Sequence, residues 1–132
     1  MKMRINFEGK RKFVAETRGF EIAVDVPQEK GGDNTAPMPP EYLVASLGSC
    51  MGIFATAYLK NAGLETSGFS IDMDWDLSAD GNRVGRISAV INTPKTALGD
   101  RKNAMLAAAS KCLIHNTLRE CPEIKIELGS EK

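Results

Sequence analysis

Apolar and polar residues alternate in short bursts over the first segment of the chain, from Met3 to Val26. Alternation with a period of two is typical of β-strands that bury one face. Turn-forming residues at Gly9 and at Arg18-Gly19 interrupt the alternation twice. The pattern therefore predicts three antiparallel strands joined by short turns.

A long uncharged run follows a loop that is rich in proline and glycine. The loop covers residues 27–40. Pro40 suits the first turn of a helix, where its missing N–H costs little. Residues 42–59 contain no charged side chain, which predicts a helix that is buried on most sides and ends near Gly63.

The remaining pattern completes an α+β order. Alternation returns on both sides of a turn at residues 79–82 and predicts a second hairpin. Residues 98–121 are mainly helix formers, so they predict a second long helix that Pro122 stops. Residues 123–128 alternate again and predict a last strand. We therefore expect one domain over residues 1–132, with two core helices packed against antiparallel sheet.

Composition narrows the classes of protein. Seventeen basic residues balance 17 acidic ones, so no net field favours nucleic acid. No secretory signal is visible at the start, and a cytoplasmic location is expected. The uncharged run approaches the roughly 20 residues of a membrane span, but two glycines interrupt it and no membrane insertion is expected. A domain of this size often gains from a second chain that covers apolar surface, which favours a dimer.

Three cysteines carry the candidate chemistry. In a reducing compartment they are better suited to packing or redox chemistry than to a permanent disulfide. Cys50 lies on an apolar stripe of the first helix and Cys112 on an apolar face of the second. Cys121 would point about 180° away from Cys112 on an ideal helix, so Cys50 and Cys112 form the candidate pair. The alternative is that all three are inert, buried small hydrophobes. The stripe on the first helix contains Leu43, Leu47, Cys50, Phe54 and Ala57.

Two segments together resemble a known family. PPEYLVASLGSC, which ends at Cys50, and KCLIHNTL, which contains Cys112, are similar to the paired signatures of the OsmC/Ohr superfamily. The order of elements also resembles that of the family over nearly the whole chain. One departure is Leu113, which stands where the family usually has proline. The resemblance implies an OsmC-like fold that forms an intertwined homodimer with a site at each subunit boundary.

The function that the resemblance implies is that of a thiol-dependent peroxidase, an oxidoreductase that reduces organic hydroperoxides. Cys50 resembles the peroxidatic cysteine and Cys112 the resolving one. Peroxide would convert Cys50 to a sulfenic acid, which condenses with Cys112 into a disulfide. An external dithiol would then reset the pair, and no cofactor is implied.

The resemblance also assigns a cation to the site. An apolar helix raises the pKa of a thiol whereas the reaction needs thiolate, so a nearby positive charge is required. The family's arginine corresponds best to Arg11, with Lys10 close behind and Arg18 a poorer match. Glu41 matches the family's glutamate and could orient the guanidinium through a bidentate pair. Because it lies nine residues before Cys50, it could instead serve the partner's site or improve the start of the helix.

The sequence is also compatible with other functions. The only histidine, His115, is expected to be packed or hydrogen-bonded, and one histidine with dispersed cysteines lacks the spacing of a zinc site, so no metal is expected. The alternative function is a non-catalytic OsmC-like protein that binds a small ligand in its apolar dimer cleft or responds to redox state.

Overall fold

A computed structural model of the protein describes residues 1–129. Backbone contacts divide it into two compact units. The first unit contains Met1–Ser46 and Met73–Ser88, and the second contains Leu47–Asp72 and the chain from Ala89 onward. The architecture is α+β, as predicted, with two antiparallel sheets and three α-helices among the described residues.

The first sheet is a three-stranded antiparallel meander, which confirms the strands predicted from alternation. It consists of β1 (Arg4–Gly9), β2 (Lys12–Thr17) and β3 (Phe20–Val24), with β2 in the centre. The register places Phe13 opposite both Phe7 of β1 and Val24 of β3. Because side chains alternate along each strand, this register places most of the apolar residues on one face and the charged residues, with Val14 and Ala23, on the other.

The apolar face of this sheet remains largely open in the single chain. On this face Ile5, Phe7 and Phe20 are 57%, 63% and 61% exposed. Tyr42 from the following helix donates its hydroxyl to the Ala23 carbonyl at 2.6 Å. An apolar groove of about 470 Å³ lies over this face. Its lining residues are Met3, Ile5, Phe13, Ala15, Ile22, Val24, Pro39, Tyr42 and Ser46.

Helix α1 spans Pro39–Asn61 and confirms the long helix predicted from the uncharged run. Its buried stripe differs from the predicted one by part of a turn, because Phe54 is 38% exposed whereas Ala55 is fully buried. Among residues 1–129, α1 is the one helix whose length and composition would suit a membrane span. The prediction that it is buried on most sides is wrong for the single chain, because only 28% of its apolar window is buried. The residues of the buried stripe are Val44, Leu47, Ala55 and Leu59.

The second hairpin also follows the prediction. It contains β4 (Ser70–Leu77) and β5 (Val84–Asn92), which pair with each other. Exposed aspartates alternate along β4 with half-buried apolar residues. Two of them have partners on β5: Asp72 accepts from the Asn92 side chain at 2.7 Å, and Asp76 pairs with Arg86.

The second long helix is wrong as predicted, because the chain breaks it in two. A 3₁₀ turn at Gly99–Arg101 precedes α2 (Lys102–Ala109), and α3 spans Leu113–Arg119. Cys112 has φ −57° and ψ 131°, values that no helical residue adopts. The helix therefore stops before Cys112 and restarts after it.

The predicted last strand is also wrong for the described chain. Residues 123–128 belong to neither helix nor strand. A strand gains its hydrogen bonds only from a neighbour, and no strand of the described residues pairs with this segment. Its apolar positions, Ile124, Ile126 and Leu128, are 78%, 93% and 100% exposed.

Candidate active site

The three thiols lie in different environments, all within the second unit. Cys50 is half-buried near the middle of α1, Cys112 is fully buried between α2 and α3, and Cys121 is exposed after α3. All three are free. Because the helix is broken at Cys112, the expectation that Cys121 points away on the same ideal helix does not apply.

Cys112 forms the N-cap of α3. Its sulfur accepts the backbone N–H of His115 at 3.3 Å, the contact that a capping side chain makes with the third helical residue. The His115 ring nitrogen Nδ1 lies 3.0 Å from the Ser110 carbonyl oxygen and so supports the break after α2. His115 is thus hydrogen-bonded, as expected for a lone histidine.

The thiol pair is polarised. The pKa of Cys50 is lowered, first by the hydrogen bond from the Cys112 thiol and then by the backbone N–H groups of Ile114 and Leu113, which outweigh its burial. The pKa of Cys112 is raised, first by burial and then by its hydrogen bond to Cys50. Of the two thiols, Cys50 is therefore the one that ionises at lower pH.

Sequence reasoning missed these backbone donors. In a continuous helix the N–H groups of Leu113 and Ile114 would donate to carbonyls one turn earlier. At the start of α3 they have no such partner within the helix and can donate to Cys50 instead. One signal was present in the family comparison. Proline favours the first position of a helix, so the proline that the family places at the position of Leu113 marks a helix start.

Arg11 lies in the β1–β2 turn of the first unit and is exposed. Its side chain lies over Gly31, where an added Cβ would be 3.6 Å from the arginine Nε. The neighbouring Lys10 pairs with Asp33. Arg18 is in the β2–β3 turn, with its guanidinium 5.3 Å from the Phe20 ring centre. Because β2 separates the two turns, Arg18 lies roughly 20 Å from Arg11.

Glu41 stabilises the start of α1. Its Oε2 accepts the Met38 N–H at 2.7 Å, and the Met38 carbonyl accepts the Tyr42 N–H at 3.2 Å. The first contact is the glutamate half of a capping box, in which the third helical residue accepts the N–H of the N-cap residue, and the second is the first backbone bond of the helix. No ion pair joins Glu41 to Arg11 in the part of the chain that the structure describes.

Comparison with known proteins identifies the family. Residues 31–127 match the family described as OsmC-like protein. The chain therefore belongs to the OsmC/Ohr superfamily, which confirms the resemblance of its two cysteine segments. Comparison with curated proteins finds no match.

Solved structures of this family have the same fold. A Psychrobacter arcticus 273-4 protein, provisionally named an osmotic stress induced and detoxification response protein, has a TM-score of 0.80 at 19% identity, over 89% of this chain and 87% of that one. An OsmC like protein from Mycoplasma pneumoniae has a TM-score of 0.73 at 17% identity, over 91% and 87%. An organic hydroperoxide resistance protein OsmC from Legionella pneumophila has a TM-score of 0.65 at 18% identity, over 90% and 88%. At these identities the likeness establishes the fold.

Proposed function

We propose that this protein is a peroxidase that reduces organic hydroperoxides with the thiol pair of Cys50 and Cys112. The observation that carries the proposal is the helix break at the buried Cys112, which places backbone N–H groups of α3 where they lower the pKa of Cys50, while burial raises the pKa of Cys112. A thiolate is the nucleophile that opens an O–O bond, and a neutral thiol beside it can condense with the product. The reaction class is also supported by structural neighbours that are organic hydroperoxide resistance proteins.

The proposed reaction consists of an oxidation by the peroxide, a condensation that forms the disulfide, and a reduction by an external dithiol. The Cys50 sulfur attacks one peroxide oxygen, the O–O bond breaks, and the leaving alkoxide takes a proton to become an alcohol. The Cys112 sulfur then attacks the sulfenic sulfur of Cys50, and the thiol proton leaves with the hydroxide as water. An external dithiol reduces the resulting disulfide by exchange and is itself oxidised. No cofactor takes part.

Arg11 is the proposed cation of this reaction. A guanidinium beside the reacting sulfur would stabilise both the thiolate and the alkoxide that leaves. Glu41 would orient it through its second carboxylate oxygen, since Oε2 already holds the Met38 N–H. Among the described residues that second oxygen accepts no hydrogen bond, which supports the assignment.

The active form in this proposal is a homodimer. The apolar face of the first sheet and the apolar residues after α3 are exposed in the single chain, and exposed apolar surface of this kind marks interaction sites. A second copy would cover them. Sedimentation of the pure protein at micromolar concentration should give the mass of a dimer, and a monomer at all concentrations would contradict it.

The test of the proposed function uses cumene hydroperoxide below one equivalent, followed by mass spectrometry. We expect a Cys50–Cys112 disulfide, its absence after Cys50→Ser, and a stable sulfenic acid on Cys50 after Cys112→Ser. Cys121→Ser is the matched control and should leave the disulfide unchanged. With dithiothreitol as the reductant, the variants that form the disulfide should reduce hydroperoxide catalytically, and Cys50→Ser should not. If hydroperoxide is not consumed and no thiol is lost, the peroxidase proposal fails.

A second candidate function rests on the apolar groove of about 470 Å³ over the first sheet. A groove of that size suits a small apolar ligand, so the protein could bind such a ligand without catalysis. The two functions differ in their dependence on Cys50. Binding of a fluorescent fatty acid should survive Cys50→Ser and compete with dimer formation if the groove is the ligand site.

A further inference from the structure

A buried carboxylate organises the loop between β3 and α1, and the proposed reaction does not use it. Asp25 directly follows β3 and is 1% exposed. Its Oδ1 accepts the Val26 N–H at 2.8 Å, and its Oδ2 accepts the N–H and the hydroxyl of Thr35 at 3.0 and 2.8 Å. The Asp33 N–H lies 3.3 Å from the same Oδ2. The carboxylate thus joins the end of the sheet to the far side of the loop.

The loop is closed tightly around this carboxylate. A Cβ added at Gly32 would lie 2.1 Å from the Val26 carbonyl oxygen and 2.6 Å from Asp25 Oδ1. Two backbone hydrogen bonds complete the closure, from Asn34 N–H to the Val26 carbonyl at 3.0 Å and from Asp25 N–H to the Pro37 carbonyl at 3.2 Å. The conformation of the loop therefore depends on the carboxylate at its centre.

The same loop supports both cations of the β1–β2 turn. The Lys10 ammonium donates to the carboxylate of Asp33, the residue whose N–H bonds to Asp25. The Arg11 side chain lies over Gly31. Each cation therefore contacts a residue whose position depends on Asp25. Asp33 is bonded to Asp25 directly, and Gly31 belongs to the loop that Asp25 closes.

We propose that Asp25 is a positioning residue for Arg11, acting through the loop of residues 26–37. The inference rests on the proposed function, in which Arg11 acts on the Cys50 thiolate. A long exposed side chain samples many rotamers, and a rigid support reduces the entropy that it loses when it engages the reacting sulfur. Asp25 itself touches no reacting atom.

The test is a double-mutant cycle between Asp25→Asn and Arg11→Ala. The asparagine has the same shape, but its NH₂ group can only donate, so it cannot accept the hydrogen bonds that one of the carboxylate oxygens accepts. Two rates are measured: the alkylation of Cys50 by iodoacetamide, followed on its own peptide by mass spectrometry, and the reduction of cumene hydroperoxide. We expect Asp25→Asn to lower both rates roughly tenfold in the wild-type background and at most about twofold in the Arg11→Ala background.

Two further variants keep the test interpretable. Asp80→Asn is the matched control, because Asp80 organises the β4–β5 turn in the same way, by accepting from the Ser78 hydroxyl and the Asn82 N–H at 2.6 and 3.1 Å. It should change neither rate. Thr35→Val removes one donor to Asp25 and keeps the backbone N–H, so a smaller change of the same kind is expected even if Asp25→Asn does not fold.

The outcomes separate the inference from the proposed function. If Asp25→Asn lowered the two rates equally in both Arg11 backgrounds, Asp25 would have a purely structural role and the inference would be overturned. Unchanged alkylation of Cys50 after Arg11→Ala would also overturn it. A wild-type protein that ignores hydroperoxide, combined with non-additive effects on alkylation, would refute the peroxidase and leave the positioning role standing.

Discussion

The Cys112 sulfur accepts the N–H of His115 at 3.3 Å at the start of α3, and a hydrogen bond from the same thiol is the largest cause that lowers the pKa of Cys50. One side chain therefore both lowers the pKa of Cys50 and caps the last helix. The N–H groups of Leu113 and Ile114, which have no partner within the helix, also lower the pKa of Cys50. Charge assignment and helix geometry at this site have a common origin.

Removal of the Cys112 thiol should raise the pKa of Cys50, because the hydrogen bond from Cys112 is the largest cause of its lowering. In a Cys121→Ser background, Cys112→Ala should move the thiolate titration, followed by ultraviolet absorbance, to higher pH and slow alkylation near neutral pH. Cys112→Ser keeps an O–H donor and should titrate closer to the wild type. Equal midpoints for the alanine and serine variants would contradict this account.

Leu113→Pro should also raise the pKa of Cys50, by less than Cys112→Ala. Proline removes the N–H that Leu113 gives to Cys50, while the first position of a helix tolerates it. Leu113→Ala keeps the N–H and is the control for the lost side chain, which is 67% exposed. Circular dichroism checks the helices, and a proline variant that titrates like the alanine variant would show that this donor does not matter.

Acid should weaken the protein through Asp25. Its pKa is lowered to about 2, first by the N–H and then by the hydroxyl of Thr35, against about 3.9 for an ordinary aspartate. A lowered folded-state pKa contributes stability that is complete above the ordinary value and is lost as the pH falls from about 4 to 2. Urea unfolding should therefore show a gap in stability between wild type and Asp25→Asn that is wide near pH 6 and narrows below about pH 4. A gap independent of pH would mean that the charge has no role.

Two glycine substitutions should have opposite effects on stability. Gly32→Ala should destabilise the protein by about 1–3 kcal/mol, because backbone oxygen occupies the space of the new Cβ. Gly52→Ala should stabilise it by up to about 1 kcal/mol, since a Cβ there would meet Ile71 and Phe69 at an ordinary 3.7 Å inside α1. Thermal unfolding compares the two variants directly, and destabilisation by Gly52→Ala would show that α1 packs more tightly than these distances indicate.

The sheets and α1 were predictable because their signals are local. Alternation over β1 to β3 and the uncharged run over residues 42–59 indicate the type of element within a few residues, although the buried stripe of α1 differs from the predicted one by part of a turn. The second helix was not predictable in this way. Residues 98–121 favour helix almost throughout, so no local signal marks the break at Cys112. The extended ψ of Cys112 occurs where its sulfur is buried and contacts both His115 and Cys50, which lie far apart in the chain.

The sequence by itself determined the α+β order of elements, the long apolar helix with Cys50 near its middle, and the choice of Cys50 and Cys112 as the candidate pair. Only the tertiary structure decided that Arg11 lies over Gly31 and that backbone N–H groups of α3 lower the pKa of Cys50. The physical reason is range. Periodicity and turn residues act between neighbours in sequence, whereas hydrogen bonds to a buried sulfur or carboxylate form only where the fold brings distant segments together.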